Sequence, residues 1–183
     1  MKDLSLHILD IIQNSLRADA SLIELTIEEN LRLNILKICI ADNGKGMDTE
    51  MIKKATDPFF TTRKTRKVGL GLSLFKQNAE QTGGYLTINS VLNQGTEINA
   101  IFGYNNIDRP ALGDVPGIVA LSASSNPTVD FVYKHLKNGK EYLFDTREVK
   151  AVLEDVSISN SGIMRYIKEM IYENLANIGV SFG

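Results

Sequence analysis

The sequence predicts an α/β layered fold, because amphipathic helical segments alternate with two pairs of short strands. Apolar positions recur at helical spacing from about Asp3 to Ala18, which predicts a first helix. Leu22 to Glu28 and Leu33 to Ala41 alternate around a polar turn at residues 29–31, and this pattern predicts an antiparallel hairpin. Two further predicted strands, Tyr85 to Val91 and Thr96 to Phe102, flank a second turn.

The segment between the two strand pairs predicts two helices and an irregular connection. A short helix is expected from Thr49 to Ala55, with Asp48 as its N-cap. Residues 57–68 hold a proline, two phenylalanines and four basic residues, and predict a loop. A helix is expected from Leu72 to Thr82.

The C-terminal part is separated by a composition shift at residues 104–117, which are rich in Asn, Gly and Pro. Strands are predicted at Ile118 to Ala123 and at 131–136, the latter returning through a hairpin turn to 141–144. Helices are predicted at 147–153 and 162–177, and the apolar stripe of the second predicts core packing, with dimerisation or partner docking as the alternative. Residues 110–183 either extend the first sheet or form a small α+β lobe, and the sequence leaves both open.

Composition narrows the class of protein. The 183 residues are 43% hydrophobic and 23% charged, as in an ordinary globular protein, and the net charge of -2 predicts neither a nucleic-acid nor a membrane partner. The single cysteine, Cys39, excludes an internal disulfide and is expected to be a buried strand residue. No signal peptide or membrane-spanning run is evident, so a cytoplasmic location is expected.

Polar residues in the first helix form one candidate site. Asp10 and Asn14 stand four residues apart, so a helix would present them on one face. The alternative for such a pair is a solvated outer face.

A glycine-containing turn forms a second candidate site. Asp42-Asn43-Gly44-Lys45-Gly46 follows a strand and opens onto a helix, so the glycines would allow the backbone to approach a flat ligand. An ionised Asp42 only accepts hydrogen bonds, which suits the exocyclic amine of adenine. The alternative is a plain hairpin turn.

A third candidate site lies at the start of the helix after the loop. Gly69-Leu70-Gly71 offers free backbone N–H groups and the positive end of the helix dipole to an anion, and the preceding loop is basic. Phosphate binding is predicted, although the chain lacks both the Rossmann and the P-loop glycine patterns.

Together these motifs resemble the GHKL superfamily, which includes histidine kinases, type II topoisomerases and heat-shock chaperones. An asparagine-containing helix, D-x-G-x-G, D-P-F-F and G-L-G-L occur in the family's order, and the catalytic domain of bacterial histidine kinases is most similar. The resemblance implies a Bergerat fold: a mostly antiparallel sheet covered on one face by helices, with ATP between the helices and a lid. Residues 1–105 would form this domain, and 106–183 a C-terminal α+β extension.

The resemblance also implies roles for individual residues. Asn14 would ligand Mg²⁺, Asp42 would accept the adenine amine, Gly44 and Gly46 would shape the adenine pocket, and Thr96 would be a second adenine contact. Gly69, Leu70 and Gly71 would hold the phosphates. The lid would contribute Phe59 as an apolar anchor and Arg63, Arg66 or Lys67 as γ-phosphate contacts.

Asp10 departs from the family pattern, because relatives that hydrolyse ATP tend to have Glu at this position and histidine kinases often have Asn. If Asp10 reaches water near the γ-phosphate, slow hydrolysis follows; if not, ATP awaits an acceptor side chain. His7 and His135 are not expected to accept phosphate or bind metal.

Three functions therefore stay open: a stand-alone protein kinase or phosphotransferase acting on a partner protein, an ATPase, and an ATP-gated binding module.

Overall fold

The computed structural model describes residues 3–57 and 70–182. It contains a six-stranded sheet with the order β3-β4-β2-β1-β5-β6, in which β1 and β5 are parallel and the other neighbours antiparallel. The strands are β1 (Leu22–Asn30), β2 (Ile35–Asp42), β3 (Tyr85–Val91), β4 (Gly95–Gly103), β5 (Asp130–Lys137) and β6 (Lys140–Asp145). The helices are α1 (Leu4–Arg17), α2 (Thr49–Thr56), α3 (Leu70–Gln81), α4 (Val115–Ser125), α5 (Thr146–Leu153) and α6 (Ser161–Asn177).

Burial alternates along the strands, so the sheet has one core face and one open face. Ile38 and Ala100 are fully buried beneath the helices, whereas Glu24 and Glu97 on the other face are exposed. This arrangement is the predicted two-layer sandwich with a mostly antiparallel sheet, and that prediction is confirmed. Cys39 lies in β2 as expected, but on the open face, where it is half-buried.

Aspartate caps set the starts of α1 and α2, and the cap predicted at Asp48 is confirmed. The Asp3 carboxylate accepts a hydrogen bond from the Leu6 N–H at the start of α1. The Asp48 carboxylate does the same for Met51 in α2. The first hairpin turn lies later than predicted, at residues 31–34, so Glu29 belongs to β1 and faces the core.

The predicted strand at Ile118 to Ala123 is wrong, because these residues belong to α4. Asp114 caps this helix through the Gly117 N–H, and Pro116 occupies its first turn. Because α4 is buried around most of its circumference, its sequence lacks the polar face that distinguishes a helix from a strand. The serines at 122, 124 and 125 lie in the last turn of α4.

The C-terminal segment extends the first sheet. The parallel pairing of β1 with β5 keeps the sheet continuous beyond residue 105, and the β5–β6 hairpin occurs as predicted. Ile167, Ile171 and Leu175 of α6 are fully buried, which confirms the core-packing interpretation of its apolar stripe.

Candidate functional site

A cavity of about 330 Å³ lies between α1, α2 and the ends of β2 and β4. Its walls are mainly apolar, with Ile11, Met47, Met51, Leu72 and Ile98 among the lining residues. Asn14, Asp42 and Thr96 are among its polar lining residues. A mostly apolar cavity with a few convergent polar groups is the usual form of a small-molecule site.

Asp42 is held rigidly at the floor of this cavity. Its Oδ2 accepts a hydrogen bond of 2.6 Å from the Ser15 hydroxyl, and its Oδ1 accepts one of 2.9 Å from the Gly44 N–H. Across the sheet Asp42 is paired with Thr96 of β4. The carboxylate therefore has a fixed orientation and retains acceptor capacity for a ligand.

Two glycines allow the backbone segments around Asp42 to lie close together. Gly46 has a φ of +65°, and a Cβ there would lie 2.0 Å from the Val91 carbonyl oxygen. A Cβ on Gly95, whose φ is +115°, would lie 1.9 Å from the Asp42 carbonyl oxygen. Larger residues at either position would force these segments apart.

Ser90 joins the two loops that border the cavity. Its hydroxyl oxygen accepts a 2.7 Å hydrogen bond from the Met47 N–H, and the hydroxyl donates to the Gly95 carbonyl at 3.0 Å. It also lies 2.8 Å from the Thr96 hydroxyl. Sequence reasoning missed Ser90 because it lies in an ordinary alternating strand that contains no motif.

Asn14 lines the cavity from α1, and its side-chain oxygen accepts a 2.9 Å hydrogen bond from Arg17. The Arg17 guanidinium would have to release the Asn14 oxygen before that oxygen could ligand a cation. Sequence reasoning also missed Ser15, although a hydroxyl within the apolar stripe of α1 is a usable signal, since buried hydroxyls need partners.

Asp10 lies beside the first turn of α3. A Cβ on Gly71 would come within 1.8 Å of Asp10 Oδ2, so the carboxyl group rests against the glycine backbone. Asp10 Oδ2 is buried and has no hydrogen-bond partner among the residues that the structure describes. Burial raises the pKa of Asp10, and the charges of Arg17 and His7 oppose this effect.

His7 connects α1 to α3 directly beneath this point. Its Nδ1 lies 3.3 Å from the Gly71 carbonyl oxygen, and its Nε2 lies 3.1 Å from the side-chain nitrogen of Asn78. The ring stacks on Phe75 at a centroid distance of 5.4 Å. Burial lowers the pKa of His7, which favours a neutral ring that packs inside the protein.

The structure thus brings most of the candidate residues of the described chain to one end of the sheet. Asn14, Asp42, Gly46 and Thr96 border the cavity, and Gly44 contacts Asp42. Asp10 and Gly71 meet at the start of α3, next to the cavity residue Leu72. Leu70 is the first residue of α3. Phe59, Arg63, Arg66, Lys67 and Gly69 lie outside the described residues.

Comparison with known proteins defines the class. Residues 2–105 match the family model described as "Histidine kinase-, DNA gyrase B-, and HSP90-like ATPase". This match covers more than half of the chain, so the chain belongs to that ATPase family, the GHKL superfamily, and the family supports ATP binding.

Individual relatives are sensor kinases. The chain is 32% identical over 96 residues to the signal transduction histidine-protein kinase ArlS of Staphylococcus haemolyticus, a match that covers 50% of this chain and 21% of ArlS. It is 36% identical over 81 residues to the sensor protein kinase WalK of the same species, covering 42% of this chain and 13% of WalK. The chain thus spans less than a quarter of the length of these relatives.

Two solved structures share the fold. The N-terminal domain of a DNA repair protein has a TM-score of 0.61 and 17% identity, covering 90% of this chain and 59% of that one. The Aquifex aeolicus MutL ATPase domain, solved with ADP, has a TM-score of 0.50 and 17% identity, covering 84% of this chain and 70% of that one. The fold likeness to the first therefore extends beyond the residues of the family model.

Among the described residues, no helix is long and apolar enough to cross a membrane, and no cluster of three or more His, Cys, Asp or Glu side chains could hold a metal ion.

Proposed function

We propose that the chain binds Mg²⁺-ATP and cleaves its γ-phosphate, with Asp10 as the general base. The observation that carries this proposal is the buried, unpartnered Oδ2 of Asp10 beside Gly71. Buried polar atoms normally have partners, and exceptions concentrate at functional sites. The proposal includes a cytoplasmic location, where ATP is abundant.

Adenine would occupy the 330 Å³ cavity. The apolar walls suit a flat ring, and Asp42 would accept a hydrogen bond from the exocyclic amine. Thr96, beside Asp42 in the adjoining strand, would supply the second polar contact. Gly44 and Gly46 keep the loop close enough for this contact.

The phosphates would lie at the start of α3, where the helix dipole favours anions. Leu70 and Gly71 begin this helix, and Asp10 lies directly against it. Phe59, Arg63, Arg66, Lys67 and Gly69 keep their proposed lid and phosphate roles, which rest on the family resemblance alone.

Asn14 fits a magnesium site, because an amide oxygen is a hard ligand of the kind that Mg²⁺ prefers. Arg17 would then move from Asn14 to the nucleotide. The cation, when bound, supplies charge neutralisation for the phosphate groups.

In hydrolysis, Asp10 would take a proton from water while the water oxygen bonds to the γ-phosphorus. The bond to the β–γ bridging oxygen breaks, which releases ADP and phosphate. A raised pKa suits a general base, since it increases proton affinity.

The kinase relatives favour a second acceptor, a nucleophilic side chain of a partner protein, in place of water. The proposal also allows the chain itself to form a homodimer.

The test uses γ-labelled ATP with the wild-type chain, Asp10→Asn and Asn14→Ala. Asp108→Asn is the matched control, because Asp108 is exposed and lies outside the cavity. We expect phosphate release by the wild type and the control, loss of release in Asp10→Asn with ATP affinity retained, and loss of Mg²⁺-dependent affinity in Asn14→Ala.

Tight ATP binding without phosphate release or labelling of the chain would contradict acceptor-free hydrolysis. Turnover on addition of a partner protein would then identify a phosphotransferase. Nucleotide-dependent partner association without turnover would identify an ATP-gated module.

A further inference from the structure

A second cavity, of about 350 Å³, lies between β6, α5 and α6, and it shares no lining residue with the nucleotide cavity. Its walls are mainly apolar. They include Tyr142, Phe144, Val149, Leu153, Ile163 and Met170. We call this cavity the α5–α6 groove.

The groove borders an open sheet edge. Within residues 3–57 and 70–182, β6 is the last strand of the sheet and pairs with β5 alone. Lys137 and Lys140 close a two-residue turn, in which Asn138 and Gly139 both have positive φ. The closing pair of such a turn is hydrogen-bonded, so alternation directs the backbone N–H and C=O of Leu143 away from β5, toward the open edge.

The rim of the groove exposes large apolar side chains. Leu143 is 55% exposed, Val152 83% and Tyr166 64%. Such apolar surface next to unpaired strand groups marks an interaction site.

The charge at the rim is acidic. Asp145 and Glu148 are the charged lining residues. Asp145 is held by Arg147 at 2.7 Å, whereas Glu148 is exposed and has no ion-pair partner within residues 3–57 and 70–182. Glu148 is therefore free to pair with a basic side chain.

We propose that the α5–α6 groove binds an extended segment of a partner protein, which adds to the sheet as a strand beside β6. The segment carries apolar residues at alternate positions, directed into the groove, and a Lys or Arg opposite Glu148. Backbone hydrogen bonds to Leu143 supply affinity, and the side-chain positions supply specificity. A second copy of this chain fits less well, because a two-fold contact would set two concave grooves against each other.

The probe is a displayed random-peptide library selected against the full chain. We expect the enriched peptides to show alternate apolar residues and a basic residue, to lack proline, and to slow hydrogen exchange at the Leu143 amide. Val152→Asp and Glu148→Lys should each weaken binding of the tightest-binding peptide about tenfold. Leu121→Asp and Glu173→Lys are matched controls at exposed positions outside the groove, and they should not weaken peptide binding.

Several results would overturn the proposal. They are failure to enrich any peptide, enrichment of peptides with helical apolar spacing, and binding that Val152→Asp and Glu148→Lys leave unchanged. Concentration-dependent dimerisation abolished by Val152→Asp would assign the groove to a second copy. ATP affinity, measured in the same variants, should stay at the wild-type value, so failure here is distinct from failure of the nucleotide site.

Discussion

Asp10 and Glu29 are both carboxyl groups on the core side of the sheet, yet their surroundings are opposite. Glu29 accepts hydrogen bonds from His135 at 2.8 Å and from Tyr104 at 2.8 Å, and Lys137 lies 3.1 Å away. Asp10 Oδ2 has no partner among the described residues.

The two pKa values differ accordingly. Burial alone would raise the pKa of Glu29, but the hydrogen bonds from His135, Tyr104 and Lys137 lower it to about 2. Burial raises the pKa of Asp10, and the charges of Arg17 and His7 offset this effect only in part. A satisfied buried charge stabilises the fold, whereas an unsatisfied one indicates a group reserved for a ligand or a reaction.

The largest expected effect comes from Glu29→Gln. A neutral amide keeps one acceptor oxygen but replaces the other with an NH₂ donor, so it removes the counter-charge of Lys137 and leaves at least one of the buried donors without an acceptor. This change should cost about 3 kcal/mol in free energy of unfolding. Urea denaturation measures this loss. Glu24→Gln, on the exposed face of the same strand, is the control and should change stability by less than about 0.5 kcal/mol.

The wild-type protein and Glu29→Gln also test how the free energy of unfolding depends on pH. The folded-state pKa of Glu29 is lowered from 4.5 to about 2. Its contribution to the free energy of unfolding is therefore complete above pH 4.5 and disappears as the pH falls toward 2. The stability difference between wild type and Glu29→Gln should therefore shrink over this interval. A constant difference would contradict the assigned role of Glu29.

A smaller effect is expected from Gly71→Ala. The new methyl group would collide with Asp10, which should cost about 1–3 kcal/mol. The double variant Asp10→Ala, Gly71→Ala should recover most of that loss in thermal denaturation. Gly162→Ala in the first turn of α6 is the control, since among the described residues its Cβ would meet only Asn160 Oδ1, at 3.1 Å. Absence of recovery would show that Asp10 and Gly71 are not in contact.

Asp10→Asn is expected to stabilise the protein while it removes turnover. The raised pKa means that ionisation is less favourable in the folded state than in the unfolded state, so an uncharged amide should stabilise the protein near neutral pH. The gain should vanish as the pH falls and the wild-type carboxyl protonates. Denaturation at two pH values checks both statements, and a loss of stability at neutral pH would oppose them.

The smallest effect is expected from Ser15→Ala. Loss of the 2.6 Å hydrogen bond to Asp42 frees the carboxylate to rotate, which should weaken ATP binding by about 1 kcal/mol. Titration calorimetry measures this change. Ser5→Ala, in the same helix but outside the cavity, should leave ATP affinity unaltered.

Much of the fold could be predicted because local signals agree with tertiary packing. The period-two pattern of β3 and the capping residue of α2 needed no long-range information. α4 could not be predicted, since a helix buried around most of its surface loses its polar face. The pairing of β5 with β1 joins residues more than 100 positions apart, and no local pattern specifies it.

The residues of the candidate site divide in the same way, into those that local motifs identify and those that folding brings together. Asp42 and Gly71 belong to recognisable motifs, so sequence predicts them. The residues that orient them, such as Ser15 and Ser90, act through contacts created by folding. The contact of Asp10 with Gly71 likewise depends on the packing of α1 against α3. The assigned ligand roles of these residues remain predictions.

The most direct measurement is a carboxyl-carbon NMR titration of Asp10 and Glu29, with and without Mg²⁺ and a non-hydrolysable ATP analogue. We predict that Asp10 titrates above the ordinary pKa of 3.8 and Glu29 near 2, and that the nucleotide shifts the Asp10 transition only. An Asp10 transition at its ordinary value, insensitive to the nucleotide, would contradict the assignment of this carboxyl to the ATP site.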